Sequence, residues 1–227
     1  MITEIIFLSL KVATLAMVLV VPASIVIGRF LSKDSKGSGF GFKVIVSALV
    51  HLPLVLPPVV TGYVLLLVFG RNGPIGSVLE TIGVGLTFHW TGAALAAALM
   101  ALPLVVRPIR LAFEAIDPEL ENMAALLGAG RVRRFATIVL PLAWPGILAG
   151  FVLGFAKALG EFGATITFVS NIPGETQTLS LAIYTLLQSP NGDRSALILI
   201  SVSVALSLLA VLVSEILIQT SAKRREL

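Results

Sequence analysis

Lys157 and Glu161 stand four residues apart in a chain whose apolar stretches carry few charges. A charge held at membrane depth is costly, which makes such a pair a functional candidate by default. On a translocation path Lys157 would attract an anionic solute, and Glu161 would hold that side chain or receive a docking partner. The same spacing suits a structural i,i+4 ion pair or a lysine that snorkels to the headgroups, so both readings stand. Other chemistry is sparse. Cysteine is absent, which removes thiolate nucleophiles, disulfides and thiolate metal sites. His51 and His89 lie far apart without HExxH spacing, so no metal site is expected. No GxxxxGK phosphate loop occurs, so ATP hydrolysis by that route is not expected of this chain. No catalytic residue is assigned, and Ser-His arrangements stay open.

The second candidate region is polar and basic, from about residue 107 to 137. Asp117 suits a helix N-cap and Pro118 the first helical position. Glu119 and Glu121 fall in the first turn, where they complement the helix dipole. Leu120, Met123, Ala124 and Leu127 recur at i, i+3, i+4 and i+7 and form one apolar stripe, and Gly128 stops the helix. A helix of about ten residues is marginal alone in water and needs a surface to pack on. That surface is either its own membrane domain and the headgroups, or a groove on another protein. Periodicity alone leaves both open.

The elements that must position these residues are spans. Of the 227 residues, 57% are hydrophobic and only 12% charged, with a mean hydropathy of +1.02. A soluble domain carries about 25% charged residues, so the class is all-α integral membrane. The basic pI near 9.8 is explained by Lys and Arg in cytoplasmic loops rather than by nucleic acid. Glu4 precedes the first apolar run and no basic leader does, so that run is expected to be retained as a span. Crossing a bilayer takes about 20 apolar helical residues. Five stretches qualify: Val12 to Gly28, Val44 to Phe69 (with Pro53, Pro57 and Pro58), Leu86 to Val106, Phe135 to Ala156, and Ser195 to Gln219.

Orientation follows from Lys and Arg. Segment 29–43 holds Arg29, Lys33, Lys36 and Lys43; segment 107–134 holds Arg107, Arg110, Arg131, Arg133 and Arg134; the tail holds Lys223, Arg224 and Arg225. These are twelve of the sixteen basic residues, and the positive-inside rule puts them in the cytoplasm. The N-terminus is then outside and the C-terminus inside. Residues 32–43 read as a flexible inner connection and 70–76 as an outer turn. His89 and Trp90 open the third span at headgroup level. Residues 179–187 are apolar but too short to cross, and are expected as a short helix at the outer interface or packed on the spans. Gly146, Gly150 and Gly154, followed by Ala158, line one face of the fourth span and permit close helix packing, within the chain or across a dimer. Pro53, Pro57, Pro58, Pro141 and Pro145 can bend spans two and four. A membrane-embedded enzyme would need more ionisable groups within the spans. A secondary transporter is disfavoured by five spans without an inverted repeat.

Gly128, nine further residues, then Ile138-Val139-Leu140-Pro141 resembles the coupling signature of type I ABC-importer permeases. In the motif, written E-A-A, three residues, G, nine residues, I-x-L-P, Ala124 matches the second alanine, whereas Asn122 and Met123 replace the first two positions. Glu121 lies one place early. Stretches 51–76 and 159–179 resemble the molybdate-specific branch of these permeases, and sulfate permeases share a similar GEFG start. The match covers essentially the whole chain, a single transmembrane domain over 1–227 with its core at about 5–219. The resemblance implies an alternating-access importer of molybdate, with sulfate, thiosulfate or tungstate as the near alternatives. It implies a transport subunit that is not itself an enzyme and binds no cofactor of its own, a second copy of the chain, two ATP-binding subunits carrying ATP and Mg, an extracytoplasmic oxyanion-binding protein, and residence in the cytoplasmic membrane. The segment Glu121, Asn122, Met123, Ala124, Gly128, Ile138, Leu140 and Pro141 would then meet the ATPase.

Overall fold

The structure, a computed structural model, describes residues 2–33, 39–190 and 192–223. The regular elements among them are all helices: α1 (Ile2–Ser32), α2 (Gly39–Val55), α3 (Pro58–Phe69), α4 (Gly76–Thr81), α5 (Trp90–Glu114), α6 (Pro118–Leu126), α7 (Arg131–Arg134), α8 (Leu140–Leu159), α9 (Gly163–Val169), α10 (Leu179–Leu187) and α11 (Asp193–Lys223). A π-helical segment, Phe135–Val139, joins α7 to α8. The 29 residues Arg131–Leu159 thus form one span-length helix. With α1, α5 and α11 it gives four helices long and apolar enough to cross a bilayer, and the pair α2–α3 is a broken fifth.

Small residues put α5 at the centre. Its Ala93, Ala94, Ala96, Ala97 and Ala101 are fully or almost fully buried, so neighbours approach its backbone on several sides. Helix α1 packs along it through a stripe that includes Val12, Ala13, Ala16, Met17 and Val20. Helix α8 packs on the other side. A Cβ at Gly146 would strike Ala112 Cβ at 2.4 Å, at Gly150 the Val105 carbonyl at 2.9 Å, and at Gly154 a Val105 methyl at 2.3 Å. The glycine face of the fourth span therefore lies inside the subunit, against α5. Buried polar groups in such a core must find partners. Ser9 Oγ does so twice, donating to the Ile5 carbonyl at 2.8 Å and accepting from Leu179 N at 2.7 Å, which ties α10 to α1.

The second expected span is not one continuous helix. It breaks at Leu56–Pro57, and its two halves are bent by 116°. Pro57 and Pro58 remove two successive N–H donors, and each disfavours the helical region for the residue before it. Pro58 instead occupies the first turn of α3, where its missing donor costs nothing. Pro53 sits inside α2 without breaking it. The other spans are longer than expected at their ends, and the third begins at Trp90 rather than Leu86. Residues 70–75 turn as expected, but α4 follows them.

Both basic segments that the structure describes, the end of α1 with the start of α2 and the end of α5 with α7, gather at one end of the bundle, around a shared cavity. Lys36, Arg224 and Arg225 fall outside the described residues, as does the side chain of Lys223.

Candidate coupling site and buried ion pair

At the basic end, Asp117 Oδ1 accepts from Glu119 N at 2.9 Å and caps α6, while Pro118 fills its first position. Gly128 closes the helix at φ +82°, in the left-handed region where a side chain is strained. Around it Ala129 N donates to the Ala124 carbonyl at 2.9 Å and Gly128 N to the Ala125 carbonyl at 3.0 Å, which is a Schellman closure. Capped at both ends, α6 is held to the rest of the chain by polar contacts. Arg29 at the end of α1 donates to Glu121, and Arg134 Nη1 donates to the Glu121 carbonyl at 3.1 Å.

None of the α6 residues is buried, and its large apolar side chains face away from the chain. Leu127 and Leu126 are each 88% exposed and Met123 is 64% exposed, with Leu120 also open. Ala124 alone of the expected stripe is half-buried. Leu126 and Val132, absent from the sequence expectation, extend the exposed apolar patch. An exposed apolar patch on a short surface helix has the chemistry of a helix-in-groove contact. The rest of the motif lies behind it: Ile138 is in the π-helical segment, and Leu140 and Pro141 open α8. The wider turn brings Leu140 N to the Phe135 carbonyl, just before Pro141, whose absent N–H and bulky ring disrupt a regular α ladder.

At the opposite end of α8, Lys157 Nζ donates to Glu161 Oε2 at 2.7 Å. Glu161 is 2% exposed, and its second oxygen accepts from Ala164 N at 3.0 Å, so the carboxylate also caps α9. Both of its oxygens are engaged within the chain. Next to it the two stretches singled out for the substrate branch meet. A Cβ at Gly163 would lie 2.8 Å from Pro58 Cβ, and one at Gly62 would lie 2.5 Å from the Ala164 carbonyl. Thus α9 is wedged against the proline elbow and α3. Thr61, on the same helix, is buried with its hydroxyl unpartnered, a residue that no sequence pattern picks out. His89 caps α5, accepting from Thr91 N at 3.4 Å, and its Nε2 lies 3.2 Å from Glu175. His51 Nδ1 lies 2.7 Å from the Ser47 carbonyl. No group of metal-ligating side chains occurs among the described residues.

Residues 21–224 match the family model described as binding-protein-dependent transport system inner membrane component. The chain is 51% identical over 220 residues to the molybdenum transport system permease protein ModB of Escherichia coli K12, covering 96% of this chain and 94% of that one. It is 49% identical over 218 residues to ModB of Haemophilus influenzae, covering 96% and 93%. Among solved structures it resembles a bacterial alginate ABC transporter in complex with its pentasaccharide-bound periplasmic protein. There the TM-score is 0.71 at 20% identity, over 93% of this chain and 76% of that one. It also resembles the inward-facing MetNI methionine ABC transporter, with a TM-score of 0.69 at 14% identity, over 97% and 94%.

Proposed function

We propose, on the premise that the chain belongs to the binding-protein-dependent transport system inner membrane component family, that it is the permease subunit of an ATP-driven molybdate importer in the cytoplasmic membrane. The observation that carries this reading is the near-full-length similarity to molybdenum transport permeases. Two copies of the chain form the translocation path between them. Two ATP-hydrolysing subunits bind at the basic, cytoplasmic end, and an extracytoplasmic oxyanion-binding protein delivers the ion at the other. ATP and Mg belong to the partner subunits.

The geometry supports a division of labour. The exposed stripe of Leu120, Met123, Leu126 and Leu127 is the face that enters the ATPase. When the ATPase subunits close, α6 moves with them. The Arg29–Glu121 pair transmits that displacement to α1, and the Arg134 contact transmits it to the helix that becomes α8. Because Gly150 and Gly154 press α8 onto α5 and α1, these three helices shift as one packed body. The proline elbow and α9 then lie where the moving body meets the outer half of the path. Lys157 provides a cation near that half.

The test is uptake of labelled molybdate, with and without excess sulfate, in cells that depend on this permease. Molybdate uptake that survives the sulfate excess is expected. Loss of uptake under a modest excess would transfer the assignment to sulfate.

A further inference from the structure

The cavity at the basic end, about 870 Å³, is a candidate site of its own. It opens between the end of α1, the start of α2, the end of α5 and α6, and is bordered by Arg29, Lys33, Lys43, Arg110 and Arg134. Among the described residues, two carboxylates, Glu114 and Glu121, stand against these five cations, an excess of three positive charges. Arg110 Nε donates to Glu114 at 2.7 Å and Arg29 pairs with Glu121, so both carboxylates are taken up. Lys43 Nζ, only half-buried, donates to the Lys33 carbonyl, a neutral acceptor. Among the described residues the lining therefore holds more cations than carboxylates to meet them.

The remaining wall decides what kind of anion suits them. Phe40 and Val44 line the cavity on the α2 side and Phe113 and Ile116 on the α5 side. Phe40 and Val44, one turn apart on α2, are themselves 66% and 51% exposed, so the cavity's apolar wall runs out to the surface of the bundle. In a membrane protein an apolar face of this kind meets acyl chains. A free tetrahedral ion would use the cations and leave that wall bare. A phosphodiester whose glycerol and first methylenes run out along α2 would use both, and basic pockets between spans at the cytoplasmic side suit such headgroups.

We propose that this cavity binds the phosphate of an anionic phospholipid of the cytoplasmic leaflet, and so ties the coupling helix to the membrane. The sidedness rests on the reading given above; the lipid selectivity does not depend on which oxyanion is transported. The test uses the purified complex of permease and ATPase subunits, exposed to phosphatidylglycerol and phosphatidylcholine of matched chains, with the lipid retained per complex counted by native mass spectrometry. Phosphatidylglycerol is expected to be retained in preference. The double substitution Lys33→Gln with Lys43→Gln should lower that preference about fivefold per charge lost, while Lys33→Arg with Lys43→Arg should keep it. Equal retention of the two lipids, or a preference unchanged by the glutamine pair, would overturn the proposal. So would inorganic phosphate that binds at millimolar concentration and displaces the lipid, because the site would then be one for free anions.

Discussion

Glu121 departs from the motif by one position and is nonetheless engaged by side chain and backbone. One position ahead of the motif's acidic site, its side chain turns inward to Arg29 instead of outward with Leu120 and Met123. The carboxylate is thus used within the subunit, as a link between α6 and α1. A partly buried pair of this kind contributes about 1 kcal/mol or less to stability, so removing it should spare folding and impair transmission. Glu121→Gln and Arg29→Gln are each expected to lower transport per ATP hydrolysed severalfold with the complex intact. The reversed pair, Arg29→Glu with Glu121→Arg, should recover part of the loss. Unchanged transport per ATP in both single variants would remove the link. At the other end, Glu161 has both oxygens engaged, so Glu161→Ala uncaps α9 and strands Lys157. A destabilisation of about 1–3 kcal/mol is expected, read as a lower thermal midpoint of the detergent-solubilised protein. Lys157→Met separates the two roles of the pair: a raised KM for molybdate would mark Lys157 as a path residue, and an unchanged one as structural.

At the scale of elements, α6 is the feature most legible in the sequence. Asp117, Pro118 and Gly128 each act locally, so both ends of the helix can be read from residue types. The same holds for α10, which covers Leu179–Leu187 as expected because its apolar run is bounded on both sides. What the sequence did not reveal depends on distant partners. Helix α9 has seven residues and an N-terminus capped by Glu161, a side chain outside it. The prolines of the second span were readable as a bend in one helix, whereas the break at Leu56–Pro57 and its 116° angle go with packing of α3 on α9. The direction of the α6 stripe was equally hidden, since periodicity defines a face without saying what covers it. Met123→Asp or Leu127→Asp should leave the permease membrane-inserted and abolish co-purification of the ATPase subunits. Persistent co-purification in both would contradict the docking role. Gly150→Leu places a branched chain against the Val105 backbone, 2.9 Å from the first added atom. It should destabilise the α5–α8 packing by about 1–3 kcal/mol or more, seen as reduced accumulation in the membrane.

For the whole molecule, composition alone fixed the membrane class, and the clustering of basic segments at one end of the bundle agrees with a common side for them. The absence of cysteine makes that sidedness directly testable, because single cysteines label without background. Ala129→Cys is expected to be shielded from an impermeant maleimide in intact cells and Asn72→Cys to be modified; the opposite pattern would invert the topology. Above all, this chain is expected to pass molybdate when an ATPase drives it. Its most direct measurement is uptake of labelled molybdate into proteoliposomes holding the full complex, with the binding protein outside and ATP enclosed. Uptake is expected to require the enclosed ATP, to vanish with Leu127→Asp, and to persist against excess sulfate. Uptake without ATP, or uptake abolished by a modest excess of sulfate, would contradict it.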